Sequence, residues 1–399
     1  MLSVSSVRFS GNARGAIHHT KFRLFSTSIP AARRAIIFTS NGPASQSVRV
    51  ISCPDLGKPA RGHVNIRYLL SPINPSDINV IEGVYPAKPT PRTNLTARGP
   101  GSKEEPCFVV GNEGLAEVTE TGEGVSTLVP GDRVVMVKPQ AGTWSTNESV
   151  LENEIIKIPS SGGKTISDVQ GATMTVNPPT AFNMLNQFVK LQPGEWVIQN
   201  GANSAVGQAV IQIAHERGLK TINFVRNRPD FSSLEDQLKG LGATCVLPLE
   251  SLSDRSLRAR IKDLTHNANI RLALNCVSGP TTAGLVGLLG RDAHLVSYGA
   301  MSKQPMSIPT GAFIFKGLTA HGFMQNIWYQ RNGLERRQEL MQELVGLMVT
   351  GKLKEPIHSI LTISESLNDD KATSLIRDVL HELTEGDGRV GMKMLLKFS

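Results

Sequence analysis

The stretch EWVIQNGANSAVGQAVIQIAHERGLKTINFVRNRPD, residues 195–230, decides the fold. Its first run, EWVIQN (195–200), has the apolar character of a buried strand. AVGQAVIQIAHERG (205–218) repeats apolar residues at helical spacing and stops at Gly218, and TINFV (221–225) is a second strand. Strand, turn, helix and strand at this spacing make a βαβ dinucleotide-binding unit. The GxGxxG fingerprint of such units falls here on Ala202, Ser204 and Gly207, so only its last glycine is kept. The geometry survives that loss. Gly201 can supply the sharp turn, Gly207 lets the helix approach the strand, and backbone N–H groups at the helix start can cradle a pyrophosphate. Asn203 and Ser204 add side-chain donors. The plain alternative is a strand-turn-helix that holds no ligand.

The residues just past the second strand decide the type of dinucleotide. NAD-binding units carry an acidic residue there for the ribose 2′-hydroxyl. This chain has Arg226, Asn227, Arg228 and Pro229 instead. Two guanidinium groups can grip a 2′-phosphate through charge-assisted, bidentate hydrogen bonds and offer NAD nothing comparable, so NADPH is the expected cofactor. The competing reading is a solvated strand end.

Outward from this unit the alternation continues. GATMTVNPPTAFNMLNQF (171–188) becomes helical after Pro179, and RLALNCV (271–277), HLVSYG (294–299) and LTAHGF (318–323) read as further strands between helical stretches. Such alternation implies a parallel sheet covered on both faces. Upstream, residues 35–169 read as short β segments joined by Gly/Pro-rich turns, among them HVNIRYLLSPI (63–73) and DRVVMVK (132–138); an all-β module is the simplest account. Downstream, ERRQELMQELVGLMVTGKL (335–353) reads as one helix closed by Gly351. MKMLLKF (392–398) reads as a strand returning to the first module.

The 399 residues are 40% hydrophobic and 19% charged, an ordinary globular composition with room for two or three domains. No apolar run approaches the ~18 residues of a membrane-crossing helix, so no membrane insertion is expected. Cys53, Cys107, Cys245 and Cys276 lie far apart with no CxxC pair, which argues against a disulfide scaffold or a structural zinc site. The net charge of +8 is concentrated at the start: residues 1–54 contain no Asp or Glu and seven Lys or Arg. MLSVSSVRFSGNARGAIHHTKFRLFSTS has the make-up of a mitochondrial transit peptide, with a disordered basic tail as the alternative. Cleavage near Phe25 leaves 38 basic against 34 acidic side chains, a net +4 that argues against a nucleic-acid platform.

Beyond these patterns, the residues resemble a known family. VVGNEGLAEVTETGEGVSTLVPGDRVV (109–135) is similar to the β-module signature of the medium-chain dehydrogenase/reductase superfamily, and the likeness extends over residues 35–399. The resemblance implies an α/β fold in which a GroES-like β module accompanies a Rossmann, doubly wound parallel sheet domain. It divides the chain into a transit peptide (1–25), the first part of the catalytic domain (31–170), the NADPH-binding domain (171–330) and a C-terminal return to the catalytic domain (331–399). Zinc-dependent members have His where this chain has Asn112 and Cys where it has Ser76, so no metal is expected.

INPSDINVIEGVYP (73–86), TVNPPTAFNML (175–185), GANSAVGQAVIQ (201–212) and VRNRPD (225–230) are together similar to the mitochondrial trans-2-enoyl-thioester reductases. That likeness places Tyr85 at the reaction centre. It makes Asn177, Asn203, Ser204, Ala205, Val206, Arg226, Asn227, Arg228, Tyr298, Gly299, Ala300, Met301, Phe323, Met324, Gln325 and Lys393 the NADPH-contacting positions. The family carries Gly-Phe-Trp where this chain has Gly322, Phe323 and Met324; a flexible methionine there can line an acyl tunnel. The resemblance also implies an enoyl thioester on acyl carrier protein or coenzyme A as substrate, a mitochondrial matrix location and a homodimer.

Reducing an unsaturated thioester delivers hydride to Cβ and a proton to Cα, and charge builds on the thioester oxygen on the way. Tyr85, protonated at neutral pH, is a fitting donor, against the bland reading of a packing residue beside a turn. Asn177, ahead of two prolines, either binds cofactor or substrate or caps a helix. Glu82 reads as a solvated turn residue, and His294 and His321 as structural. Arg331, Arg336 and Arg337 are candidates for a rim that meets an acidic carrier, though an exposed helix face explains them equally well. Two rival functions stay open: a zinc-free NADPH quinone reductase, and a non-catalytic dinucleotide- or RNA-binding regulatory protein.

Overall fold

The computed structural model describes residues 33–86, 89–93, 95, 106–386 and 391–399. The expected transit peptide lies outside the described residues.

The first part of the chain is built from β1 (Arg34–Phe38), α1 (Ala44–Ser47), β2 (Arg49–Ser52), β3 (His63–Pro72), α2 (Pro75–Glu82), β4 (Phe108–Val109), β5 (Leu115–Thr121), β6 (Arg133–Met136), β7 (Asn147–Leu151), β8 (Ile155–Lys157) and α3 (Asp168–Thr173). The second layer runs α4 (Asn177–Gln187), β9 (Trp196–Asn200), α5 (Ala205–Glu216), β10 (Lys220–Val225), α6 (Phe231–Gly240), β11 (Cys245–Pro248), α7 (Leu257–Thr265), β12 (Leu272–Asn275), α8 (Thr281–Gly287), β13 (His294–Ser297), α9 (Thr310–Lys316), β14 (Thr319–Gly322), α10 (Gln325–Arg331) and α11 (Leu334–Val349). The chain then closes with β15 (His358–Ile363), α12 (Asp369–Glu385) and β16 (Lys393–Phe398).

Among the described residues β9 to β14 form a parallel six-stranded sheet in the order β11-β10-β9-β12-β13-β14. Counted from β9 as the first strand, this is the 3-2-1-4-5-6 order of a dinucleotide-binding sheet, whose ligand crevice opens at the carboxyl ends of β9 and β12. Helices cover both faces, so β9 is buried at every residue and reads as an unbroken apolar run apart from Gln199 and Asn200. The amide nitrogens of both are bonded internally. Gln199 Nε2 donates to Asn223 Oδ1 (2.8 Å), and Asn200 Nδ2 donates to Asn275 Oδ1 (2.8 Å) across the strand crossover. The edge strand β14 is largely exposed.

The last strand does return. β16 pairs antiparallel with β3 through Leu395↔Pro72 and Leu396↔Ser71, and parallel with β15. The return path is stapled by three glutamines: Gln170 Nε2 donates to Leu353 O (3.1 Å), the Lys354 N–H to Gln212 Oε1 (2.8 Å) and the Ile357 N–H to Gln208 Oε1 (3.3 Å). Helix α11 packs under α4 and contributes Leu340, Leu344 and Val345 to the same core as Val197 and Val210.

Two expectations change in detail. The first module is not all β, because α2 interrupts it. Pro75 fits the first helical position, where no N–H is needed. The Asp77 carboxylate accepts from the Asn74 N–H (2.8 Å), and Gly83 ends the helix at φ 78°. The helix of residues 171–188 begins at Asn177, two residues before Pro179, since both prolines fall in the first turn. Asn177 therefore stands inside the helix rather than capping it.

Candidate active site

The loop after β9 has the geometry its two glycines require. Gly201 sits at φ 61°, and a Cβ there would run into Cys276 Sγ; a Cβ on Gly207 would lie 2.5 Å from the Ala202 carbonyl oxygen. The first glycine makes the turn and the second brings α5 against the strand. Ser204 begins α5, its Oγ accepting from the Gly207 N–H (3.1 Å). The remaining N–H groups of the first turn point out of the crevice end of the sheet, where a helix of 12 residues favours an anion.

The other expected positions follow neighbouring strand ends. Arg226, Asn227 and Arg228 come directly after β10; Arg226 is exposed, while the Arg228 guanidinium lies 3.2 Å from Asp230 and the Asn227 N–H donates to Glu250 Oε2 (3.1 Å). Tyr298 to Met301 follow β13 and run beside the loop after β12, with the Tyr298 N–H donating to Asn275 O (3.0 Å) and the Met301 N–H to Cys276 O (2.9 Å). Burial, with Cys276 next, holds the Tyr298 phenol well above its usual range, and Ser204 also faces it. Phe323, Met324 and Gln325 follow β14. Gln325 Oε1 accepts from Asn183 Nδ2 of α4 (3.1 Å), and Met324 is the residue from which α10 starts. Asn177 is buried with its Nδ2 unpaired. The turn at Gly201, the close approach at Gly207 and the orphaned Asn177 amide fit a dinucleotide.

Lys393 comes from the other module, two residues beyond a link to this group. Gln208 of α5 donates through Nε2 to Asn203 O (2.8 Å) and to Gly391 O (3.2 Å), so the start of β16 is tied to the cofactor loop. The Lys393 ammonium is buried and donates to Asn74 Oδ1. Asn74 Nδ2 in turn donates to Glu113 Oε1 (2.8 Å), and Glu113 Oε2 accepts from Thr175 Oγ1 (3.0 Å). Tyr329 OH donates to Thr175 O (2.8 Å). Beside Thr175 and Tyr329 opens an apolar cavity walled by Ile156, Met174, Met341 and Leu344.

Burial dominates the electrostatics of this cluster. It pushes Asp77 up to about 7, with the Asn74 N–H and Lys393 opposing and Glu113 assisting. It raises Glu113, against the pull of Lys393, and lowers Lys393, against the pull of both acids. Tyr85 lies three residues beyond the end of α2, its N–H donating to Asn79 O (3.2 Å), and packs on a core of Ile36, Val80, Ile81 and Trp144. Burial first and Asp77 second raise its phenol, which therefore stays protonated.

Reading the sequence alone left Asn74, Asp77, Glu113, Thr175 and Tyr329 unassigned. The Asn74-Pro75-Ser76-Asp77 pattern held a usable signal, a helix start with an acid at the third position. His294 and His321 prove to be paired, Nδ1 to Nε2 at 2.9 Å with their rings stacked, and Phe188 lies tilted against His321. Of the rim candidates, Arg336 pairs with Glu339 (2.6 Å), and Arg337 sits over the Tyr329 ring and donates to Val137 O (3.2 Å). Arg331 is exposed.

Two sequence families match the chain: the alcohol dehydrogenase GroES-like domain over residues 60–165 and the zinc-binding dehydrogenase over residues 205–344. The mitochondrial enoyl-acyl-carrier-protein reductase of Schizosaccharomyces pombe is 36% identical over 94% of this chain and 97% of its own length. The protein of the same name from Homo sapiens is 39% identical, with 84% of each chain covered. Among solved structures, Etr1p in complex with NADP and crotonyl-CoA superposes with a TM-score of 0.83 and 32% identity over 92% of this chain and 99% of that one. The Etr1p/Etr2p heterodimer of Candida tropicalis, a mitochondrial 2-enoyl thioester reductase, gives the same score, identity and coverage. A likeness this extensive settles kinship: the chain belongs to the mitochondrial enoyl-acyl-carrier-protein reductases of the medium-chain dehydrogenase/reductase superfamily.

Proposed function

We propose that this chain is an NADPH-dependent reductase of trans-2-enoyl thioesters, with Tyr85 as the donor at the reaction centre. The observation that carries the reading is the near full-length superposition on a relative solved with NADP and crotonyl-CoA. The strand order and the loop after β9 agree with it independently.

NADPH, when bound, supplies the hydride. The residues after β9 hold its pyrophosphate, Arg226 and Arg228 its 2′-phosphate, and Asn177 with the loops after β13 and β14 its nicotinamide end. Tyr85 donates a hydrogen bond to the thioester oxygen, an interaction that strengthens as negative charge moves onto that oxygen. Its raised pKa keeps the proton available throughout the physiological range.

The protein acts in the mitochondrion, as its relatives do. We assign it to the matrix, in keeping with the acid-free, basic start of the chain. We also assign it a homodimer formed through β14, an exposed sheet edge preceded by the exposed Phe313, Ile314 and Phe315 of α9. No described helix is long and apolar enough to cross a membrane. The test is NADPH consumption by the protein truncated near Phe25 on adding crotonyl-CoA or crotonyl acyl carrier protein. Consumption with a quinone and none with either thioester would overturn the reading.

A further inference from the structure

Asn74 occupies an unusual junction. Its side-chain amide has one accepting and one donating end, and both are committed to buried charges from distant parts of the chain: Oδ1 accepts from Lys393 and Nδ2 donates to Glu113 (2.8 Å). Two opposite partners fix which way the amide faces. All three residues are more than nine-tenths buried, Asn74 at 3%, Lys393 at 7% and Glu113 at 1% exposure, so water cannot replace a lost contact without cost. Through its backbone the same residue starts α2, the Asn74 N–H held by Asp77.

Helix α2 is a short rigid rod, about 12 Å long at 1.5 Å per residue. Its far end is pinned as well: Asn41 Nδ2 donates to Val80 O (3.1 Å) and Ile81 O (3.0 Å), and Val80 and Ile81 are buried. Tyr85 leaves that end with its N–H bound to Asn79 O. A shift of the rod at Asn74 is therefore a shift of the phenol. On the other side, Lys393 begins β16 two residues after Gly391, whose carbonyl accepts from Gln208 of the cofactor helix α5.

We propose that Asn74 is a positioning residue: its amide, bridging Lys393 and Glu113, couples occupancy of the cofactor loop to the helix that presents Tyr85. The coupling rests on the NADPH-dependent function proposed for the chain. An amide suits the task because it satisfies an ammonium and a carboxylate together without adding charge to a cluster that already holds two acids and one base.

The test uses the full chain, NADPH as the probe and amide hydrogen exchange of residues 75–86 and 201–212. In the unaltered protein NADPH slows exchange in both segments, on the order of fivefold or more. In Asn74→Ala and Asn74→Asp the response at 201–212 remains, and that at 75–86 drops to roughly twofold or less. An equal response at 75–86 in all three proteins, or none there in the unaltered protein, overturns the coupling. No response at 201–212 in the unaltered protein defeats the cofactor reading itself, and the coupling with it.

Turnover gives a second, independent readout. Asn74→Ala lowers kcat with crotonyl-CoA about tenfold beside Tyr85, and by less than about twofold in a Tyr85→Phe background, because the two residues act as one unit. Equal losses in both backgrounds point to a merely structural role and overturn the coupling. Asn74→Asp keeps the shape of the side chain and serves where the alanine variant does not fold. Its carboxyl faces Glu113, Asp77 and Lys393, with the Tyr85 and Tyr329 phenols beyond them, and can donate to Glu113 only when protonated. Its kcat relative to the unaltered enzyme rises as pH falls; a pH-independent deficit overturns the bridge.

Discussion

The Arg228 guanidinium is paired with the Asp230 carboxylate, Nε to Oδ1 at 3.2 Å, two residues along the same loop. Of the two cations that follow β10, Arg226 is thus the exposed one. Arg226→Ala is expected to weaken NADPH binding about 10- to 100-fold, the worth of a charge-assisted hydrogen bond or two, and to leave NADH binding within about twofold. Titration of both nucleotides by fluorescence decides it. Equal affinities in the unaltered protein would remove the 2′-phosphate argument.

Tyr85→Phe removes one oxygen from a residue whose ring stays packed on Val80 and Ile81. Turnover of crotonyl-CoA is expected to fall on the order of 100-fold or more, with NADPH affinity unchanged. Steady-state rates beside a binding titration separate the two effects. Full retained activity would take the phenol out of the mechanism.

Asp77 is buried and titrates near 7 in the folded protein. An unfolded aspartate loses its proton near 4, so between about pH 4 and 7 the native state binds more protons than the unfolded one, and stability falls as pH rises through that window. Asp77→Asn is expected to flatten this decline, by up to about 1.4 kcal/mol per pH unit, while its amide oxygen can still accept from the Asn74 N–H. Melting temperatures from about pH 5 to 8 for the two proteins check the difference in slope.

Gly207→Ala puts a Cβ 2.5 Å from a backbone carbonyl oxygen that cannot move without shifting β9. A loss of about 1–3 kcal/mol is expected, read as a lower melting temperature, together with NADPH binding weakened at least tenfold. An unchanged melting curve would mean that the helix does not need this approach.

Phe315→Asp places a charge on the exposed apolar surface beside β14. Light scattering after size exclusion should show a dimer for the unaltered protein and a monomer for the variant. A monomer in both cases would remove the edge from the assembly.

The loop after β9 was legible because it is local. Gly201 and Gly207 stand where sterics tolerate nothing larger, and Arg226 follows its strand within one residue. The buried network behind Tyr85 was not. Asn74 and Lys393 are 319 residues apart, and no pattern along the chain announces that they meet. Helix α2 was hidden for a related reason: eight residues with few apolar positions give too short a period to tell from a loop, and its capping acid identifies it only once the helix is known. Asn177 shows the limit of propensity. An asparagine before prolines reads as a cap, yet the prolines draw the helix start back onto it and leave its amide nitrogen buried and unpaired.

Lys393 opens β16, far along the chain from Asp77 and Glu113. The two buried acids and their counter-ion therefore come together only where β16 docks on β3, a pairing between distant parts of the chain. A chain in which β16 has not docked leaves Asp77 and Glu113 without their counter-ion.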